Sequence, residues 1–147
     1  MATSTILQSL DAGQSAGTSA RSSIETYIAG GTIVAGDWVM IDVSQSGADK
    51  ALYVVQASTA GNGLVRGVAK FAAAAGDQVD VVVKGYVAEA NVLTATAAGV
   101  PLAISATAGR TAQATVDATG GATEPVPGIC GTSLTVAADN KAEVLVG

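Results

Sequence analysis

The chain of 147 residues is long enough for one domain with its own hydrophobic core. Only 3% of its residues are aromatic and 13% are charged, so a core must come from Val, Ile, Leu and Ala, a composition that favours β-structure. A net charge of −5 offers no electrostatic footprint for nucleic acid, and no apolar run approaches the roughly 20 residues of a transmembrane helix. We therefore expect a soluble all-β protein, made in the cytoplasm, with no nucleic-acid partner and no membrane partner.

The N-terminal segment, residues 1–23, differs in composition from the rest of the chain. It is rich in Ser, Thr, Gly, Ala and Gln and contains one short apolar cluster, Ile6, Leu7 and Leu10. Such a segment cannot bury enough apolar surface to fold alone. It is either a disordered terminus or an arm that orders on a neighbouring subunit, with the three apolar residues as anchors. We predict a flexible arm over residues 1–23 and a single β-domain over residues 24–147.

The chain from residue 32 to 85 alternates between turn signals and runs that are typical of strands. A turn at Ala35-Gly36-Asp37 precedes the alternating run Trp38–Val43. Further β-branched runs follow at residues 51–55, 65–69 and 79–83. Lys84-Gly85 then separates the third of these runs from another predicted strand at residues 86–90.

The run at residues 38–43 places Trp38 on one face of its strand and three aliphatic residues on the other. The aliphatic face is the better core candidate, so Trp38 is expected on the opposite face or at an interface, where large rings with a polar group are common. Tyr53 lies on a neighbouring strand whose second face is not needed for the core. Since a surface with so few charges favours self-association, we predict that Trp38 and Tyr53 lie at an oligomer interface.

Much of this pattern returns later in the chain. The offset from Gly36 to Gly99 equals the offset from Val81 to Val144, and the offset from Gly67 to Gly128 is slightly smaller. These offsets predict two related β-units, at about residues 32–85 and 95–147, with a small insertion or deletion between them. Because two copies are too few for a solenoid or propeller, we expect one compact domain of roughly eight to ten short strands and at most one short helix.

No set of residues typical of catalysis or metal binding stands out. The chain has no histidine, and its single cysteine, Cys130, lies in an apolar Gly-Ile-Cys-Gly stretch that is typical of a small core residue. Several carboxylates lie in turns, where Asp usually accepts backbone hydrogen bonds: Asp37, Asp49, Asp77 and Asp139. We therefore predict that the protein is not an enzyme and carries no metal or cofactor.

Three phrases of the first unit resemble a family of small phage capsid decoration (cement) proteins. They are Gly31–Asp37 (GTIVAGD), Arg66–Ala69 (RGVA) and Ala75–Gly85 (AGDQVDVVVKG). The match covers residues 27–87 well, and residues 97–147 match in a degenerate form. The resemblance implies a small β-barrel or β-tulip-like domain that binds the outside of an expanded icosahedral shell, often as a trimer. It also implies that an N-terminal arm contacts the major capsid protein, and Ile6, Leu7 and Leu10 are the residues that would make this contact.

Two functions from different classes remain open. The first is a structural virion protein on the capsid exterior, whose partners are the major capsid protein and other copies of itself in a homotrimer. The low charge, the many small residues and the flexible arm suit this function. The alternative is a carbohydrate- or host-surface-binding β-module of a virion. That alternative requires Trp38, Tyr53 and Tyr86 to cluster into a platform for sugars.

Overall fold

The computed structural model describes residues 22–58, 64–114 and 129–147. These residues form nine β-strands and one turn of 3-10 helix at Gly47–Ala51, which confirms the prediction of an all-β domain. The strands are β1 (Ser23–Ala29), β2 (Trp38–Ile41), β3 (Tyr53–Gln56), β4 (Val65–Ala69), β5 (Gln78–Asn91), β6 (Pro101–Ile104), β7 (Thr111–Gln113), β8 (Ile129–Ser133) and β9 (Lys141–Val146). Within the described ranges, no helix is long and apolar enough to cross a bilayer.

The first five strands form a closed barrel. Their order is β1-β3-β2-β4-β5, and β5 pairs again with β1. β1 and β3 are parallel, with Ile28 opposite Tyr53, whereas the other neighbours are antiparallel. Closure pairs both edges of each strand in the ring over at least part of its length, so the barrel offers no long free edge to another chain. The β-barrel that the resemblance to capsid decoration proteins implies is therefore present.

The remaining four strands continue from β5 in the order β5-β9-β8-β6-β7. All of these pairs are antiparallel. A parallel bridge between Val92 and Thr111 then connects β7 back to the chain just after β5. The second half of the chain thus also curves back to the strand from which it started.

The long strand β5 belongs to both units. Its first half pairs with β1 and β4, and its second half, from Gly85 onward, pairs with β9. The predicted break at Lys84-Gly85 is wrong, since one strand of 14 residues runs through it. Gly85 has a φ of +109°, a conformation that glycine adopts at a lower cost than any other residue, and it lies where the strand changes partners. Gly85 therefore marks the point where β5 changes its pairing partners and not the end of the strand.

The two units repeat one pairing scheme, which confirms the predicted internal repetition. The order β3-β2-β4-β5 of the first unit corresponds to β7-β6-β8-β9 of the second. Even the irregularities correspond. On β2, Val39 lies opposite Gly67 and the register then shifts, and on β6, Leu102 lies opposite Gly131 before the same shift. Gly131 is therefore the equivalent of Gly67, and the predicted equivalence of Gly67 with Gly128 is wrong.

Each unit has its own apolar cluster. The first lies inside the barrel and includes Tyr27, Val39 and Val81. The second includes Leu102 and Val144 together with Trp38, which is contributed by the first unit. β2 therefore buries both of its faces, one in each cluster, and holds the two units together.

Candidate attachment surfaces

Trp38, one of the two predicted interface residues, is completely buried. Its ring packs in the second cluster with Ala90 and Val144, and a Cβ on Gly131 would lie only 3.0 Å from its Cη2 atom. Its Nε1 has no hydrogen-bond partner among the described residues. This burial does not fit the expected position at an oligomer interface, because the second unit already covers the outer face of β2.

Tyr53, the other predicted interface residue, is half-buried at the start of β3. It lies beside Ile28 in the parallel pair of β1 and β3. The residue remains partly accessible, so its role at an interface stays a prediction. Since Trp38 is in the core, the three aromatic residues named for a sugar platform do not form one surface.

The three predicted capsid-contact residues, Ile6, Leu7 and Leu10, lie outside the described residues, so their role stays a prediction. The described chain starts at Ser22, whose Oγ donates a hydrogen bond of 3.3 Å to the carbonyl oxygen of Tyr86. Ser23 then pairs with Lys84 as β1 begins. The N-terminal segment therefore joins the barrel beside the middle of β5.

A groove of about 460 Å³ lies next to this point, between the end of β4 and the second half of β5. Apolar groups form most of its walls: Val68, Phe71, Val82, Tyr86, Val87 and Ala88. Three charged residues, Lys70, Glu89 and Lys141, also line it, and the Nζ atom of Lys141 donates to the carbonyl oxygen of Ala35 at 3.4 Å. The groove suits an extended apolar segment more than a small polar ligand.

Phe71 is the only phenylalanine of the chain, and it lies in the wall of this groove. Phe71 is 58% exposed, and the Nζ atom of Lys70 lies 5.4 Å from the centroid of its ring. A cation above an exposed ring contributes only about 0.5–1 kcal/mol, so this contact does not explain why so large an apolar group faces solvent. Apolar groups exposed beside a groove are typical of a binding surface.

Asp37 is a buried carboxylate that connects both units, and only 3% of it is exposed. It accepts hydrogen bonds from the backbone N–H of Val34 (2.8 Å) and from the side-chain amides of Asn91 (2.6 Å) and Gln56 (2.5 Å). Gly109, in the loop between β6 and β7, approaches so closely that a Cβ there would lie 2.5 Å from Oδ1 of Asp37. These contacts assign Asp37 a structural role, in agreement with its prediction as a turn residue.

Cys130 is a half-buried thiol on β8. Desolvation raises its pKa to about 12, and its Sγ donates to the carbonyl oxygen of Leu102 at 3.3 Å. A thiol in this state is a poor nucleophile, which agrees with its prediction as a small core residue. In the part of the chain that the structure describes, no group of three or more His, Cys, Asp or Glu side chains is arranged to hold a metal ion.

The fold is similar to that in the crystal structure of the head fiber gp8.5 N base of bacteriophage phi29. The superposition covers 86% of this chain and 94% of that chain, with a TM-score of 0.57 and 13% sequence identity. No protein-family model matches the chain, and no curated protein matches it. At this identity the similarity concerns the fold. The β-architecture expected from the resemblance to phage decoration proteins is thus also the architecture of a phage head fiber base.

Proposed function

We propose that this protein is a structural virion protein that binds the outer surface of an icosahedral phage capsid and stabilises it. The observation that carries the proposal is the fold shared with a phage head fiber base over 86% of the chain. The sequence resemblance of residues 27–87 to capsid decoration proteins supports the same function.

The partners in this proposal are the major capsid protein and other copies of the chain in a homotrimer on the capsid exterior. Ile6, Leu7 and Leu10 would bind an apolar groove of the coat. Burial of three such side chains contributes a few kcal/mol at about 25 cal/mol per Å² of apolar area, less the cost of ordering the segment. Many copies on one shell would reinforce the lattice, since each further contact between linked subunits forms at high effective concentration.

A sedimentation assay with purified expanded shells of the phage that encodes the chain tests this function. We expect the full-length protein to sediment with the shells and to raise the temperature at which they dissociate. A variant that lacks residues 2–20 should keep its fold, because β1 begins at Ser23, and should lose most of its shell binding. If the full-length protein stays in the supernatant at every shell concentration, the proposed function is wrong.

The carbohydrate-binding alternative has less support, because the ring of Trp38 is buried and cannot stack on a sugar. Tyr53 and Tyr86 remain partly accessible. Binding of oligosaccharides by the full-length protein, lost when Tyr86 is replaced by alanine, would favour this alternative over capsid attachment.

A further inference from the structure

The groove lined by Phe71, Val82 and Val87 shares one residue, Tyr86, with the point where the N-terminal segment joins the barrel. Ser22 donates to the carbonyl oxygen of Tyr86, and Tyr86 lines the groove together with Ala88. The residues that precede Ser22 therefore start next to an apolar surface. Any apolar group in that segment has a nearby site that removes it from water.

The composition of the segment matches the groove. Apart from Met1, the large apolar residues among residues 1–21 are Ile6, Leu7 and Leu10, and the only acidic residue, Asp11, directly follows them. The groove has apolar walls, and its charged residues are two lysines and one glutamate. A short apolar stretch followed by a carboxylate is thus complementary to the groove in both hydrophobicity and charge.

We propose that in the free protein this groove reversibly binds residues 6–11 of the chain's own N-terminal segment. The stretch from Leu10 to Ser22 can span at most about 40 Å when fully extended, which is enough to fold back onto the groove. Because the segment and the groove are covalently connected, docking takes place at high effective concentration and needs little intrinsic affinity. Docking covers the exposed ring of Phe71 and places Asp11 beside Lys70 and Lys141.

If the protein binds capsids as proposed above, docking of residues 6–11 in the groove also affects its attachment to the shell. The side chains that would bind the coat are the same ones that occupy the groove. A shell therefore competes with the groove for residues 6–11. The free protein keeps the apolar side chains of this stretch covered until a coat surface is available. The docking itself is a property of the protein in solution and is tested without shells.

The test compares backbone amide spectra of the isotope-labelled full-length protein with those of two triple variants. In the first, Ile6, Leu7 and Leu10 are replaced by aspartate. In the charge-matched control, Ser4, Ser15 and Ser19, all outside residues 6–11, are replaced by aspartate instead. We expect the first variant to shift the amide signals of groove residues such as Val82, Val87 and Ala88, and the control to leave them close to the unmodified protein. An unchanged emission spectrum of Trp38 shows that the barrel is intact in each variant.

A second pair of variants changes the groove and leaves the N-terminal segment intact. Ala88→Arg fills the groove, whereas Ala74→Arg adds the same side chain at another exposed position. We expect Ala88→Arg, and not Ala74→Arg, to lower the heteronuclear NOE of residues 6–11. Equal values in both variants, or unshifted groove signals in the first triple variant, would overturn the proposal. A concentration dependence shared by the signals of residues 6–11 and of the groove would also overturn it, because it indicates docking into a second copy.

Discussion

Gly67 and Gly131 occupy equivalent positions in the two units, and both lie where one strand backbone comes close to the next. A Cβ on Gly67 would lie 2.0 Å from the carbonyl oxygen of Val82, and a Cβ on Gly131 would lie 2.6 Å from that of Leu145. The ordinary distance between a carbon and a carbonyl oxygen in a sheet is about 3.3–3.6 Å. Alanine therefore requires β4 and β5 to separate locally by about 1.3 Å, and β8 and β9 by about 0.7 Å, to restore that distance.

We predict that both alanine variants are destabilised and that Gly67→Ala is the more severe of the two. Overpacking in a well-packed interior costs about 1–3 kcal/mol, and occasionally more, when the obstacle is backbone that cannot rotate away. Gly131→Ala should fall within this range, and Gly67→Ala should reach or exceed its upper end. Gly31→Ala is the matched control, since nothing lies within 4 Å of the position its Cβ would take. Its effect should be small and can be stabilising by about 0.4–1 kcal/mol.

Urea unfolding followed by the fluorescence of Trp38 measures these differences directly. Trp38 is the only tryptophan and lies where the two units meet, so its emission reports on both. With a typical m-value of about 1–3 kcal/mol/M, a loss of about 3 kcal/mol lowers the midpoint by roughly 1 M or more. If Gly67→Ala unfolds at the same midpoint as Gly31→Ala, the close approach of β4 to β5 does not exist.

Three further predictions follow from the buried polar groups. Asp37→Ala leaves donors on Val34, Gln56 and Asn91 without an acceptor, at a cost of about 1–3 kcal/mol for each buried donor. We expect this variant to lose more unfolding free energy than Asp37→Asn, because the asparagine retains one acceptor oxygen. Cys130 should react with iodoacetamide at pH 8 on the order of 10³ times more slowly than an ordinary thiol, because so little thiolate forms with a pKa of about 12, and denaturant should abolish the difference. Hydrogen bonds from the side chains of Ser44 and Gln45 lower the pKa of Asp42, so the stability it contributes is complete above its unfolded pKa and is lost as the pH falls through its folded pKa. Acid unfolding of Asp42→Asn should therefore lack this part of the pH dependence, and an unchanged acid transition would contradict the assignment.

The strands that depend on local patterning could be predicted from the sequence. The alternation after Gly36 located β2, and the offset shared by Gly36 and Val81 located the equivalents of β2 and β5. The equivalent of Gly67 could not be found in this way, because the connections differ in length. The step from Val54 on β3 to its equivalent Thr111 on β7 is shorter than the shared offset, whereas the step from Gly67 on β4 to Gly131 on β8 is slightly longer. Because one connection of the second unit is shorter and the next is longer than in the first unit, the sequence alone does not show which residues of the two units are equivalent.

The position of Trp38 could not be predicted because alternation along a strand identifies two faces but does not say what covers each of them. Val39 and Trp38 lie on opposite faces of β2 and are both completely buried. The groove is equally invisible in the sequence, since it combines residues as far apart as Ala35, Val82 and Lys141. The hydrogen bond between Asp37 and Asn91 likewise joins two distant parts of the chain.

The two units differ in the side chains that they place at equivalent positions. Ala90 in the second unit is the equivalent of Tyr27 in the first, and the smaller side chain lies in the cluster that Trp38 enters. The equivalent of Trp38 is Pro101, which offers no comparable ring to a further unit. Val82 is only 3% exposed, whereas its equivalent Leu145 is 46% exposed. The face of β9 that carries Leu145 is thus more accessible than the face of β5 that carries Val82.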